Sequence, residues 1–115
     1  MTKARRELGA RGEDAVAAWY EAAGYDVVAR NWRCRTGELD LILRLGATYV
    51  FCEVKTRTSS AFGAPQEAVT RKKQLRLRSL AAQWLHTDAP SSAADLRFDV
   101  ACVLDNQIEV LEGAF

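Results

Sequence analysis

Two runs of alternating residues, joined by a short glycine-containing turn, constrain the fold of this chain more than any other feature. The first run spans residues 38–45 and the second spans residues 49–55, with Gly46-Ala47 between them. Alternating side chains are typical of β-strands, and glycine at the first central position of a two-residue loop is what a type II′ turn requires. The sequence therefore predicts a β-hairpin over residues 38–55.

The turn also predicts which residues of the two strands lie opposite each other. Counting outward from the turn places Asp40 opposite Glu53. The next pair on the same face is Glu38 with Lys55. The other face would then be the core face, and it carries Leu39, Leu41, Leu43, Val50, Cys52 and Val54.

The facing carboxylates of Asp40 and Glu53 repel each other, at a cost of up to about 1 kcal/mol. A hard cation such as Mg²⁺ or Mn²⁺ removes this repulsion, because it takes oxygen ligands from one or two carboxylates and keeps positions for water and phosphate oxygens. Lys55 would add positive charge beside a phosphate under attack. The pattern therefore favours phosphodiester hydrolysis, and its alternative is a sheet face whose acids form ordinary salt bridges with Lys55 and Arg44.

Hydrophobic periodicity and turn residues predict the remaining elements. A first helix within residues 5–23 would bury Val16, Trp19, Tyr20 and Ala23 and end at Gly24. A strand follows over residues 25–32. A second helix opens at Pro65-Gln66-Glu67, and its buried stripe consists of Leu77, Leu80, Ala81, Trp84 and Leu85. Two further strands are predicted over residues 96–104 and 107–111.

The element order α-β-β-β-α-β-β predicts an α/β protein with a mixed central sheet flanked by helices. A length of 115 residues suits a single domain over residues 1–115. The polar start of the chain and the absence of a long apolar run indicate a cytoplasmic protein with no membrane partner. The three cysteines have neither disulfide nor zinc spacing.

A charge asymmetry is hidden behind the net charge of +1. Residues 1–83 contain 15 of the 16 basic and 9 of the 15 acidic side chains, a net charge of +6, whereas residues 84–115 carry −5. A basic body suits DNA as the partner, because basic side chains that neutralise phosphates release counterions. The predicted DNA-binding residues are Arg33, Arg35, Arg57, Gln66, Lys72 and Arg76, joined by Arg30. A merely solvated basic surface is the alternative.

Landmarks spread over nearly the whole chain resemble one protein family. They are Gly12-Glu13, Gly24-Tyr25, Asn31-Trp32-Arg33, residues 37–42, residues 50–57, Phe62-Gly63, residues 67–69 and Arg97-Phe98-Asp99-Val100. The chain resembles the YraN-like bacterial proteins of the restriction-endonuclease-like superfamily, which has the PD-(D/E)xK signature and includes the archaeal Holliday junction resolvases. Leu39 stands where the signature has proline, a departure that is frequent in the superfamily.

The resemblance implies a restriction-endonuclease-like fold, with Asp40 and Glu53 as metal ligands and Lys55 as the catalytic lysine. It also implies that Glu13 is an accessory helix carboxylate, a further catalytic and metal-binding position, and it is the sole basis for expecting a homodimer. The function expected is an Mg²⁺- or Mn²⁺-dependent endonuclease for branched or flapped DNA. Two alternatives stay open: a non-catalytic DNA-binding module in repair, recombination or uptake, and a protein-interaction subunit that docks through its acidic C-terminal strands.

Overall fold

A five-stranded sheet with a helix packed on each face makes up the computed structural model, which describes residues 2–57 and 69–115. The elements are α1 (Lys3–Ala22), β1 (Asp26–Cys34), β2 (Gly37–Leu45), β3 (Thr48–Arg57), α2 (Arg71–Thr87), β4 (Asp95–Leu104) and β5 (Gln107–Leu111). This order confirms the predicted α-β-β-β-α-β-β succession and the α/β class, and it is compatible with a restriction-endonuclease-like fold.

The strands lie side by side in chain order, β1-β2-β3-β4-β5. All neighbours are antiparallel except β3 and β4, which run parallel and are connected through α2. The sheet is therefore mixed, as predicted. Gly46 has a φ of +60°, the value that a type II′ turn needs at its first central position. The predicted hairpin register is confirmed from Leu45↔Thr48 to Leu41↔Cys52.

Both faces of the sheet are buried under helices, as the predicted flanking helices require, whereas the alternation within the hairpin indicated one core face only. Leu41, Leu43, Val50 and Cys52 pack with Val16 and Tyr20 of α1, whereas Ile42, Tyr49 and Phe51 pack with Leu77, Leu80 and Trp84 of α2. The prediction that Leu39 lies with Leu41 and Leu43 is wrong. Leu39 belongs to the α2 side, because the alternation of β2 breaks next to Asp40.

Each helix departs from its prediction in one respect. Trp19 on α1 and Ala23 directly after the helix are exposed, and the buried residues of α1 are Gly12, Val16, Ala17 and Tyr20. The buried face of α1 is linked to the sheet by Tyr20, which donates a hydrogen bond of 2.6 Å to the buried Asp99 on β4. Its end is as predicted: Gly24 adopts a φ of +94°, and the N–H of Tyr25 bonds to the carbonyl of Tyr20.

The second helix begins later than predicted, at Arg71. Thr70 is its N-cap: the backbone of Thr70 is extended and its side chain accepts a hydrogen bond of 3.2 Å from the N–H of Lys73. Residues 65–67, where the prediction placed the helix start, lie outside the described residues. Within the described residues, no helix is long and apolar enough to cross a membrane.

Candidate functional site

The ladder between β2 and β3 ends at the pair Leu41↔Cys52. Asp40 lies one residue beyond this pair, and its Oδ2 accepts a hydrogen bond of 2.9 Å from the backbone N–H of Val54. The Asp40 side chain thus occupies the place that a backbone carbonyl of β2 would take in a continued ladder. The two strands separate here, and the opening holds the carboxylate of Asp40 at the edge of β3.

Glu53 lies on the α2 face of β3 and is only 8% exposed. Two lysines approach the same oxygen of its carboxylate. The Nζ of Lys73 is 2.8 Å from Glu53 Oε1, and the Nζ of Lys55 is 3.3 Å from it. Lys55 follows Glu53 by two residues and so shares its face of the strand, whereas Lys73 comes from the first turn of α2. A buried carboxylate of this kind requires such partners.

The two acids lie close enough to influence each other, and both line one narrow cavity with Leu39, Phe51, Cys52, Leu77 and Phe98. Burial, followed by the negative charge of Glu53, raises the pKa of Asp40 to about 7, although the hydrogen bond from Val54 opposes this shift. Burial lowers the pKa of Lys55, and the neighbouring Lys73 adds to that effect. For Lys73, burial alone would lower the pKa, but its contacts with Glu53 and Lys55 raise it.

Glu13 approaches this region from α1, on the opposite side of the sheet from α2. Burial raises the pKa of the Glu13 carboxyl, and a hydrogen bond from the Asn31 side chain opposes that effect. Glu13 is near enough for its charge to raise the pKa of Asp40. The backbone of Asn31 in β1 has a φ of +51°, a conformation that asparagine tolerates better than most residues.

The carboxylates of Asp40 and Glu53 are the candidate ligands for a divalent cation at this cavity. In residues 2–57 and 69–115, no three or more His, Cys, Asp or Glu side chains form a group that could hold a metal. Asp40 and Glu53 both offer carboxylate oxygens at the cavity, and Mg²⁺ typically binds through one or two carboxylates together with water and phosphate. Burial and the negative charge of Glu53 raise the pKa of Asp40, and a bound cation would oppose this shift by favouring the charged carboxylate. The pair therefore suits a hard cation, and the role of Glu13 as a third ligand stays a prediction.

The predicted pairing of Glu38 with Lys55 is wrong. Glu38 is exposed and pairs instead with Arg33 of β1, whose Nε lies 3.0 Å from its carboxylate. The physical reason is the separation of β2 from β3 at Asp40. Beyond that point β2 keeps β1 as its ladder partner, while Lys55 continues along β3.

The predicted DNA-binding residues lie at several places around the site. Arg33 and Arg35 line an open cleft at the turn between β1 and β2, together with residues 34 and 36–38. Lys72 and Arg76 are exposed on α2, as expected, and Arg57 ends β3. Arg30 is engaged by Asp14 of α1 at 2.6 Å. Gln66 lies outside the described residues.

Lys73 and Asn31 contact the site but were not predicted to belong to it. Lys73 lies in the basic run of residues 71–78, which was predicted to bind DNA, and Asn31 lies in a landmark of the family resemblance. Lys73 shares the helical stripe of Leu77, Leu80 and Trp84, since these positions lie four, seven and eleven residues after it. That spacing was a usable signal for a lysine facing the sheet. Asn31 had no comparable signal, because its contact with Glu13 depends on the crossing of α1 over β1.

The segment Arg97-Phe98-Asp99-Val100 is explained by packing. Asp99 is fully buried and accepts hydrogen bonds from Tyr20, from two nitrogens of Arg97 and from the N–H of Gly113. This network ties α1, β4 and the segment after β5 together. Its acid is satisfied by a bidentate arginine and a hydroxyl, which is the arrangement that a buried carboxylate needs for stability.

The fold and this site define a class: an α/β protein with a mixed five-stranded sheet, compatible with the restriction-endonuclease-like fold, in which an acidic pair and two lysines meet where β2 and β3 separate. Within that class, residues 12–103 match the model of the uncharacterised protein family UPF0102, and the chain belongs to this family. The match is consistent with the resemblance to the YraN-like proteins.

Relatives of the same family match over most of the chain. A UPF0102 protein of Beutenbergia cavernae is 55% identical over 102 residues, covering 89% of this chain and 86% of the relative. A UPF0102 protein of Frankia alni is 48% identical over 120 residues, covering 98% of both chains. A UPF0102 protein of Moorella thermoacetica is 46% identical over 121 residues and covers both chains completely.

Proposed function

We propose that this chain is a divalent-metal-dependent deoxyribonuclease that hydrolyses phosphodiester bonds. The observation that carries the proposal is the arrangement around the strand separation: two mutually repelling carboxylates, Asp40 and Glu53, with Lys55 in contact with the second of them. A buried acidic side chain with a purely structural role is expected to form an ion pair with a basic side chain of the same protein. Glu53 does so, whereas within residues 2–57 and 69–115 the Asp40 carboxylate accepts a hydrogen bond from the backbone N–H of Val54 and forms no salt bridge.

The residues divide the chemistry between them. Asp40 and Glu53 would hold Mg²⁺ or Mn²⁺, which when bound lowers the pKa of a water molecule and stabilises charge on phosphate oxygens. In hydrolysis the water oxygen bonds to phosphorus, one P–O ester bond breaks, and the leaving oxygen takes up a proton. Lys55 is placed to neutralise the negative charge that grows on the phosphate during this exchange. Leu39, Phe51 and Phe98 form part of the apolar lining of the cavity beside the two acids.

DNA as the substrate class rests on the basic surface beside the site. Lys72 and Arg76 project from α2, the same helix that delivers Lys73 to Glu53, and Arg33 and Arg35 line the neighbouring cleft. Contacts of this kind position a phosphate backbone without reading its sequence. Together with the resemblance to the resolvases, this favours recognition of branched or flapped DNA by shape.

The test compares metal binding with cleavage in matched variants. Asp40→Asn keeps an acceptor for the N–H of Val54 but removes the charge, so it should lose both Mn²⁺ binding in calorimetry and cleavage. Lys55→Ala should keep the metal and lose cleavage by roughly 10²- to 10³-fold, the size of one lost transition-state contact. Glu13→Ala tests the accessory position, and Glu21→Gln, on the exposed side of α1, is the charge-loss control.

Branched, flapped and linear DNA should each be assayed with Mg²⁺ and with Mn²⁺. Wild-type protein that binds metal and DNA yet cuts none of these substrates would leave the DNA-binding module as the function. Failure to bind any metal would show that the acidic pair has been misinterpreted. Equal loss of metal binding in Lys55→Ala and Asp40→Asn would contradict the division of roles.

A further inference from the structure

Lys73 differs from the two basic residues that precede it in the first turn of α2. Arg71 and Lys72 are exposed, whereas the Lys73 side chain is only 30% exposed and ends 2.8 Å from Glu53 Oε1. The N-terminal end of a helix disfavours cations, and the first turn of α2 contains no acid. The position of Lys73 is therefore explained by its contact with Glu53 and not by helix stability.

Together, the positive charges of Lys73 and Lys55 exceed the single negative charge of Glu53. Both ammonium groups approach the same carboxylate oxygen, at 2.8 and 3.3 Å, so the three side chains carry a net charge of +1. Each lysine keeps about a third of its side chain in contact with solvent, 28% for Lys55 and 30% for Lys73. One of the two cations can thus leave Glu53 for another anion without leaving the carboxylate unpaired.

We propose that Lys73 exchanges between Glu53 and a phosphate of the DNA. The inference rests on the proposed function, since it takes DNA as the ligand. In the protein without metal, Lys73 is held by Glu53 and contributes little to DNA binding. When Glu53 gains another cation, repulsion between like charges releases Lys73 toward the phosphate backbone, which accepts lysine as a point charge.

This exchange couples the binding of metal to the binding of DNA, so that each strengthens the other. If a cation on Glu53 frees Lys73 for DNA, then DNA that holds Lys73 must equally strengthen binding of the cation, because coupling free energies are symmetric. Lys73 also competes directly with a metal for Glu53 Oε1. Removal of Lys73 should therefore tighten Mn²⁺ binding to the DNA-free protein, while removal of the exposed Lys72 should leave it unchanged.

The decisive experiment needs no metal and no cleavage. Binding of a labelled DNA duplex and a labelled four-way junction is measured with a chelator present, for the wild type and for Glu53→Gln. This substitution removes the charge that holds both Lys73 and Lys55, without changing the size of the side chain, and the Lys73 variants then separate the two lysines. We expect Glu53→Gln to bind both DNAs severalfold more tightly, with a salt slope steeper by roughly 0.9, the effect of one additional phosphate contact. Adding Lys73→Ala to Glu53→Gln should abolish both changes.

Lys72→Ala is the matched control, because it removes the same charge from the same helical turn. It should weaken DNA binding by the same factor in the wild type and in Glu53→Gln, whereas Lys73→Ala should have a much larger effect in Glu53→Gln. Lys73→Met, which keeps the apolar stem, serves as a second variant, and circular dichroism checks that each protein is folded.

Three results would overturn the inference. The first is no gain in DNA binding by Glu53→Gln, and the second is a gain that survives the loss of Lys73. Either of these, in a wild type that cuts DNA with Mg²⁺, would leave the proposed nuclease function standing. The third is no DNA binding by any variant, which would overturn the proposed function together with the role of Lys73.

Discussion

At the scale of single residues, Asp40 lies in surroundings that oppose its charge. Burial and the charge of Glu53 raise the pKa of Asp40 to about 7, well above the value of about 3.9 expected in the unfolded chain. Between these two values the folded protein binds more protons than the unfolded chain does. The contribution of Asp40 to stability is therefore fully present below about pH 4 and is lost as the pH rises through about 7.

We therefore expect the free energy of unfolding of the metal-free protein to fall with rising pH between these limits, relative to Asp40→Asn, by at most about 1.4 kcal/mol per pH unit. Denaturant titrations at a series of pH values, with a chelator present, would measure this difference. Mn²⁺ added at pH 8 should restore stability in the wild type and not in Asp40→Asn. If the free energy of unfolding changed with pH in the same way in the wild type and in Asp40→Asn, the raised pKa of Asp40 would be contradicted.

At the scale of elements, the approach of α1 to β3 depends on Gly12. A Cβ at this position would lie 1.9 Å from Thr56 Oγ1 and 3.1 Å from Thr56 Cβ, so rotation of the threonine alone cannot relieve the contact. Gly12 directly precedes Glu13, and Thr56 directly follows Lys55. The absence of a side chain at Gly12 therefore allows the helix that presents Glu13 to pack beside the strand that presents Lys55.

Gly12→Ala should destabilise the protein by about 1 to 3 kcal/mol, the usual cost of overpacking, because α1 must move away from β3. Gly9→Ala is the matched control: a Cβ at Gly9 meets no atom within 4 Å, so this variant should instead gain about 0.5 to 1 kcal/mol from the better helix propensity of alanine. Thr56→Ala should partly rescue Gly12→Ala. Chemical denaturation measures the free energy of unfolding of each variant. If Gly12→Ala left this free energy unchanged, α1 would be able to move away from β3 at no cost.

The elements could be predicted from the sequence where local chemistry determines them. Gly46 set the hairpin register and Gly24 the end of α1, because each needs a backbone conformation that few other residues adopt. The ladder could not be predicted beyond Leu41, since the Asp40 carboxylate replaces a backbone acceptor there. The alternation within the hairpin indicated one core face, whereas the element order predicted flanking helices, and α1 and α2 do cover opposite sides of the sheet.

The candidate site was predicted in part. Its carboxylates and Lys55 follow from a pattern within one hairpin, whose residues are close in sequence. Lys73 joins them from α2, and the helical spacing of Lys73 to Leu77 and Trp84 indicates a lysine that faces the sheet. The spacing could not identify Glu53 as the residue that Lys73 contacts. Glu53 lies 20 residues away in the sequence, and the packing of α2 on the sheet decides which strand Lys73 meets.

At the scale of the whole molecule, basic side chains collect around the end of the sheet where β2 and β3 separate. Lys72 and Arg76 lie on α2, and Arg33 and Arg35 lie at the turn after β1. The excess negative charge of the sequence falls in residues 84–115, which form the last turn of α2, β4, β5 and their connections. A polyanion should therefore bind at the end that holds Asp40 and Glu53.

The double variant Lys72→Ala/Arg76→Ala tests this arrangement. We expect it to weaken binding to DNA of any sequence alike, and to flatten the dependence of the logarithm of affinity on the logarithm of salt concentration by roughly 1 to 2 units, because each lost phosphate contact retains one counterion on the DNA. Arg44→Gln, at the other end of β2, is the control and should leave the slope unchanged. A double variant with the wild-type slope would mean that this face of α2 does not contact DNA, and the basic residues there would be a solvated surface only.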